Sequence, residues 1–147
     1  MIESILIINK QGVVRFLKIY TLEEKNIDRE KLVKTVFDMI ASRDSKGSNI
    51  IFDVEYGLVK RKLIYRLYGS IYLVMIVDDC ESELAIMDFI HVFMQVLDGI
   101  FNSICELDII MNPEKIYLAI DEMISGGIVI ETSTSEIIAN YKEKLKD

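Results

Sequence analysis

The stretch Asp78 to Cys105, DDCESELAIMDFIHVFMQVLDGIFNSIC, limits the possible folds more than any other part of this chain. Ile86, Ile90, Phe93, Leu97, Ile100, Phe101 and Ile104 recur at spacings of three and four, which is one face of a helix. Ala85, Phe89, Val92 and Val96 add a second apolar stripe, so the polar residues Asp88, His91, Gln95, Asp98 and Asn102 are confined to a narrow ribbon. A helix lying on a globule with one side in water shows a much wider polar face. The spacing therefore predicts one long helix over 78–105 covered by more than one neighbour, with Asp78 as cap and Glu81 in capping-box spacing. The excess apolar surface points to a ligand groove or a partner subunit.

The totals agree with an obligate subunit. At 147 residues the chain, 1–147, reads as one domain. Hydrophobic residues make up 51% of it, and a surplus that one core cannot hide usually ends in a protein interface. No run reaches the roughly 18 uninterrupted apolar residues of a membrane span, and MIESILIINK has no basic region ahead of an apolar one, so a soluble chain without a secretory signal is expected. The net charge of -7 argues against nucleic acid, whose phosphates need a basic surface. Cys80 and Cys105 bracket the long helix, have no metal-ligand spacing, and read as reduced thiols of a cytoplasmic protein.

Taken in order, Ser4 to Ile8 and Val13 to Tyr20 form a hairpin about Asn9-Lys10-Gln11-Gly12. Val13, Arg15, Leu17 and Ile19 share one face of the second strand and Val14, Phe16, Lys18 and Tyr20 the other. Both faces are mostly apolar, which fits a sheet with helices on both sides. Asp28 caps a helix to about Ser42, burying Leu32, Val33, Val36, Phe37 and Ile40. A breaker-rich stretch from Ser42 to Gly47 precedes a short strand over 50–52 and a turn at Tyr56-Gly57. Leu63 to Tyr68 and Ile71 to Val77 are strands joined by Gly69-Ser70, the second buried on both faces. Asn112-Pro113-Glu114 starts a helix running to about Ser125 that buries Ile116, Tyr117, Ile120, Met123 and Ile124 and stops at Gly126-Gly127. Ser133 with Glu136 caps a terminal helix. Gly99 inside the long helix marks a kink or a close backbone approach.

Enzyme chemistry finds little support. His91 is the single histidine and has no nucleophile spaced to meet it, so it reads as a surface or interface residue. Asp78, Asp79, Glu81 and Glu83 read as acids favoured by a helix N-terminus rather than a cation site. Neither phosphate-cradling glycine motif is present. No cofactor and no metal are expected. Lys60, Arg61, Lys62 and Arg66 read as strand-edge protection or a contact for a partner's acids, ahead of a lipid site. Arg15, among Val13, Leu17 and Ile19, needs a carboxylate or a carbonyl.

These pieces resemble the small (sigma) subunits of the heterotetrameric clathrin-type adaptor complexes. The resemblance runs through ILIINKQGVVRFLKIY, KLIYRLYGSIYLVMIVD, FNSICELDIIMNPEKIYLAIDEM and GGIVIETS, with the CELD run at Cys105 to Asp108 as its most specific part. VDDCESELAIMDFI and the long 45–61 segment look most like the sigma subunit of the third adaptor type, serving lysosome-related and vacuolar routes. The resemblance implies an α+β, longin-like fold, a five-stranded antiparallel sheet between helices. It implies obligate large and medium adaptor subunits as partners, and work in vesicle-mediated protein transport on the cytoplasmic face of Golgi, endosomal and vesicle membranes, reached through the complex. It also implies recognition of cargo tails bearing acidic dileucine signals, [DE]xxxL[LI]. The pocket for the leucines would fall on Ile71, Met94, Ile104 and Ile109 with Ser103 at its rim, and Arg15 would meet the signal's acid. Ser103 stands where well-known relatives carry asparagine, and Met94 where they carry a smaller branched residue. The alternative is a stand-alone longin-type regulator of a small GTPase or a membrane-fusion protein.

Overall fold

The computed structural model describes residues 1–21, 27–43, 49–56 and 59–146. Five strands, β1 (Ile2–Asn9), β2 (Val14–Ile19), β3 (Ile50–Tyr56), β4 (Val59–Tyr68) and β5 (Ile71–Asp78), form one antiparallel sheet in the order β2-β1-β5-β4-β3. The helices α1 (Arg29–Ala41), α2 (Glu83–Phe101), α3 (Glu106–Met111), α4 (Pro113–Asp121) and α5 (Thr134–Leu145) flank it, and a small hairpin, β6 (Ile124–Ser125) and β7 (Ile128–Val129), separates the last two. This is the expected α+β architecture.

The two central strands explain the layering. In β1, Ile5 and Ile7 face the α2 layer while Leu6 and Ile8 face α1, and all four are buried. In β5, Leu73, Met75 and Val77 join the first cluster and Val74 and Ile76 the second. Strands apolar on both faces need helices on both sides. α1 supplies one cover through Leu32, Val33, Val36 and Ile40; α2, α4 and α5 supply the other through Phe93, Leu97, Ile116, Ile120 and Ile137. α2 is long and apolar enough to cross a membrane by length and composition, but here Ile86, Phe89, Ile90, Phe93, Met94, Val96 and Leu97 are core.

Local signals account for several ends. Asp28 accepts from the Lys31 backbone N–H at 3.2 Å and starts α1; Ser133 accepts from Glu136 N–H at 3.5 Å and starts α5. The β1–β2 turn closes on Gly12, whose φ of +87° is left-handed and whose missing Cβ makes room for the Phe37 ring of α1. At Gly99 the expected close approach is made by Ile138 of α5, whose Cδ1 would lie 2.6 Å from an added Cβ.

Several expectations are corrected. The long helix starts at Glu83, not Asp78: Asp78 ends β5, and Ser82 caps α2 by accepting from Ala85 N–H at 3.3 Å. At the other end, Asn102 takes the left-handed conformation and terminates the helix before Cys105. The acidic group is correspondingly not a helix-dipole cluster. Asp78 and Glu81 hold the Met1 ammonium at 3.1 and 2.5 Å, and only Glu83 lies in the first turn, where it takes Lys62 at 3.0 Å. The basic cluster does not guard an edge either, because β4 is an inner strand. Arg61 pairs with Glu3, Lys62 also donates to the Glu81 carbonyl at 2.7 Å, and Arg66 lies over the Tyr68 ring.

β3 extends beyond the expected 50–52 because it pairs with a β4 that itself starts earlier. The helix expected to reach Ser125 ends at Asp121, and Gly126-Gly127 turns the β6–β7 hairpin instead. Asn112 gives α4 no side-chain cap; its N–H and its side-chain amide both return to the Asp108 carbonyl of α3, a helix the periodicity did not separate. Tyr117 is partly exposed and reaches β2, donating to the Leu17 carbonyl at 3.1 Å. The breaker-rich residues 44–48 and the turn at Gly57 lie outside the described residues.

The β6–β7 hairpin docks on the start of β1, where Ile2 N–H donates to the Gly127 carbonyl at 2.8 Å. Gly126 and Gly127 both have positive φ, but an added Cβ meets nothing at Gly126 and lies 2.4 Å from the Ile2 carbonyl oxygen at Gly127. Gly126→Ala is expected to destabilise by about 1 kcal/mol through backbone strain alone. Gly127→Ala is expected to cost roughly 2–4 kcal/mol, since the clash adds to the strain. Urea denaturation of the two variants checks this, and equal midpoints would refute the docking argument.

Candidate ligand-binding site at the β1–β2 end

A single surplus residue in β2 shapes this site. Ser4, Ile5, Leu6 and Ile7 pair in step with Ile19, Lys18, Leu17 and Phe16, but the next pair is Ile8 with Val14. Arg15 is left over as the extra residue of a β-bulge, a feature that bends a strand and re-aims a side chain. Strict alternation places Arg15 with Leu17 and Ile19, toward α1. The bulge instead lets it reach α3, where its Nε donates to Glu106 Oε1 at 2.8 Å. The carboxylate that an arginine in this setting needs is therefore present, although it comes from 91 residues further along the chain.

Asn9 completes the arrangement. It ends β1, is 5% exposed, and uses both ends of its amide. Its Oδ1 accepts from the Gln11 and Val13 N–H groups at 2.9 Å each, holding the turn before the bulge, while Nδ2 donates to Glu106 Oε1 at 2.9 Å. Arg15 and Asn9 together hold the Glu106 carboxyl below the usual carboxylate range. Spacing alone flags neither Asn9 nor Glu106; the need of Arg15 for an acceptor calls for a carboxylate or a carbonyl without saying which.

The four apolar residues of the expected leucine pocket belong to one cluster. Ile71 opens β5 opposite Asn9, Met94 lies midway along α2, and Ile109 lies on α3; they are 4%, 5% and 0% exposed. Ile104, in the link between α2 and α3, is partly buried against the same cluster and is the member that reaches the surface. That link is tightly held. Asp98 accepts Ser103 N–H on its carbonyl and Ile104 N–H on its carboxylate, each at 3.1 Å, and Cys105 N–H donates to Asp108 Oδ2 at 3.0 Å. Ser103 is exposed.

His91 is exposed on α2 and lies 3.2 Å from Gln95, which also takes the Thr134 hydroxyl of α5 at 3.3 Å, so it belongs to a polar seam between two helices. Among the described residues no three His, Cys, Asp or Glu side chains converge as a metal set.

Ser103 has a φ of +72°, directly after Asn102 at +54°. Serine tolerates this region less well than asparagine, so Ser103→Asn is expected to raise stability by about 0.5 kcal/mol, read as a higher urea midpoint. Glu106 predicts a pH dependence. Its folded pKa lies below the unfolded value of about 4.3, so its stabilising contribution is full above that pH and is lost as pH falls toward the folded value. Denaturation midpoints measured from pH 6 to pH 3 should fall less steeply in Glu106→Gln than in the parent chain.

The comparisons with known proteins agree with this architecture. The family model for the clathrin adaptor complex small chain matches residues 1–146. The AP-3 complex sigma subunit of Schizosaccharomyces pombe is 37% identical over 140 residues, 94% of this chain and 82% of that one. AP-3 sigma-2 of Homo sapiens is 37% identical over 148 residues, 97% of this chain and 74% of that one. AP-4 sigma-1 of Mus musculus is 39% identical over 140 residues, 95% of this chain and 92% of that one. A chain in a homology model of the full-length AP-3 complex, in a stretched open conformation, superposes with a TM-score of 0.72 at 33% identity, covering 99% of this chain and 94% of its own length. With its sheet between helices and a family match along nearly its whole length, this chain belongs to the clathrin adaptor complex small chain family.

Proposed function

We propose that this chain is the sigma subunit of an adaptor complex of the AP-3 type, working in vesicle-mediated protein transport, and that its β1–β2 end helps to recognise acidic dileucine signals. In this reading the chain is held by large and medium subunits and meets Golgi, endosomal and vesicle membranes from the cytoplasmic side, through the complex. Arg15 faces the signal's acid. Ile71, Met94, Ile104 and Ile109 receive the two leucines, and Ser103 lies at the rim. Catalysis has no part in it.

The observation that carries this reading is the bulge at Arg15. It brings the guanidinium to α3, the helix that holds Ile109, next to the β1 residue that pairs with Ile71. Positive charge and large apolar groups thus meet at one end of the sheet, which is what a peptide with an acid before two leucines requires. Because Ile71, Met94 and Ile109 already serve the core, the leucines enter by displacing side chains around Ile104. Burying two leucines gains roughly 3–6 kcal/mol before ordering costs, so the result is a weak, reversible contact. Many complexes on one membrane then raise the effective affinity.

The test is peptide binding to the reconstituted complex. A DxxxLL peptide is expected to bind at least about tenfold more tightly than DxxxAA, since two desolvated leucines are lost. Ile104→Ser is expected to remove most of that difference while the complex still assembles. Equal binding of the two peptides would refute dileucine recognition by this chain.

A further inference from the structure

Arg15 is not a bare cation. Glu106 Oε1 accepts from its Nε at 2.8 Å and from Asn9 Nδ2 at 2.9 Å, so a full negative charge stands beside the guanidinium on the face proposed to meet the signal. The two side chains keep 27% and 25% of their surface in solvent, which leaves both able to act on an arriving ligand. An arginine has five N–H donors, and Glu106 takes the one on Nε. The terminal nitrogens remain for a second carboxylate, but that carboxylate would arrive next to an acid already in place. The same single oxygen also steadies the guanidinium, since Asn9 anchors it to the end of β1.

We propose that Glu106 is a specificity-determining residue for the acidic position of the sorting signal: it orients Arg15 through Nε while its charge offsets part of the attraction between Arg15 and the incoming carboxylate. This rests on the dileucine reading above and adds how that site weighs the acid against the leucines. Without Glu106's charge, Arg15 would favour any acidic tail. With it, the acid contributes a small increment and the leucines decide binding. Two like charges about 5 Å apart near a solvated surface differ in binding by about three- to tenfold.

The experiment is a charge cycle in the reconstituted complex, with DxxxLL, NxxxLL and DxxxAA peptides. Glu106→Gln keeps an oxygen that can accept from Arg15 and Asn9 and removes the charge. It is expected to raise the D-over-N preference by about three- to tenfold and leave NxxxLL unchanged. Glu106→Asp keeps the charge and should leave the preference near the parent value. Should Glu106→Gln fail to assemble, the pair of variants Arg15→Gln and Arg15→Gln/Glu106→Gln carries the test, because removing both partners leaves neither charge without its counterion. DxxxLL should then bind about three- to tenfold more tightly to the double variant than to Arg15→Gln. An unchanged D-over-N preference in Glu106→Gln, or equal binding by that pair, overturns the proposal. Loss of discrimination between DxxxLL and DxxxAA in the parent complex refutes the dileucine reading instead, so the two failures are told apart.

Discussion

The fold depends on β1 and β5 being apolar on both faces. A strand pair with one wet face needs a single covering layer, but Ile5 and Ile7 on one side of β1 and Leu6 and Ile8 on the other leave no face for water. α1 must close one side and the α2 layer the other, and the nearly all-round apolar character of α2 follows from what it packs between. Sheet and helix α4 lie against it, and α5 crosses it at Gly99, where a side chain larger than hydrogen would meet Ile138. The polar ribbon, Asp88, His91, Gln95 and Asp98, stays exposed, together with Leu84 and Ala85 in the first turn and Gly99 near the last.

Charge is handled with similar economy inside this frame. Arg61 reaches past β5 to Glu3 of β1 and Lys62 reaches Glu83 at the start of α2; both cations are nearly buried, so these pairs tie β4 to β1 across the intervening strand and to α2. Removing one partner of such a pair would leave a nearly buried charge stranded. In the Arg15–Glu106 pair both partners are partly open to water, whereas in Lys62–Glu83 only the carboxylate is and in Arg61–Glu3 neither is to that extent.

What the sequence reveals divides along local and non-local lines. Asp28 and Ser133 cap their helices as their spacing predicts, because a cap is decided within four residues. β1, β2, β5 and the later part of β4 also follow from runs of apolar residues, as do the two covered faces, whereas the full length of β3 and the start of β4 do not. The start of α2 does not: Asp78 and Ser82 are both good caps, and only the pairing of Asp78 with Arg61 across the sheet assigns it to β5. α3 is six residues, too short for a helical period to separate from its neighbours. Arg15's need for an acceptor is legible from its apolar setting, whereas Glu106 as that acceptor depends on a strand pairing no local pattern encodes.

The bulge in β2 has a consequence for how such a chain can diverge. The direction of the Arg15 guanidinium is set by one residue too many between Ile8's partner and Ile7's partner, not by the kind of side chains around it. Losing a single residue there would restore plain alternation and point the strand's next side chain toward α1, with Phe16, Leu17 and Ile19 still seated in the core. A paralogue could therefore lose the Arg15–Glu106 pair through a one-residue change in length, with no core substitution to mark the loss.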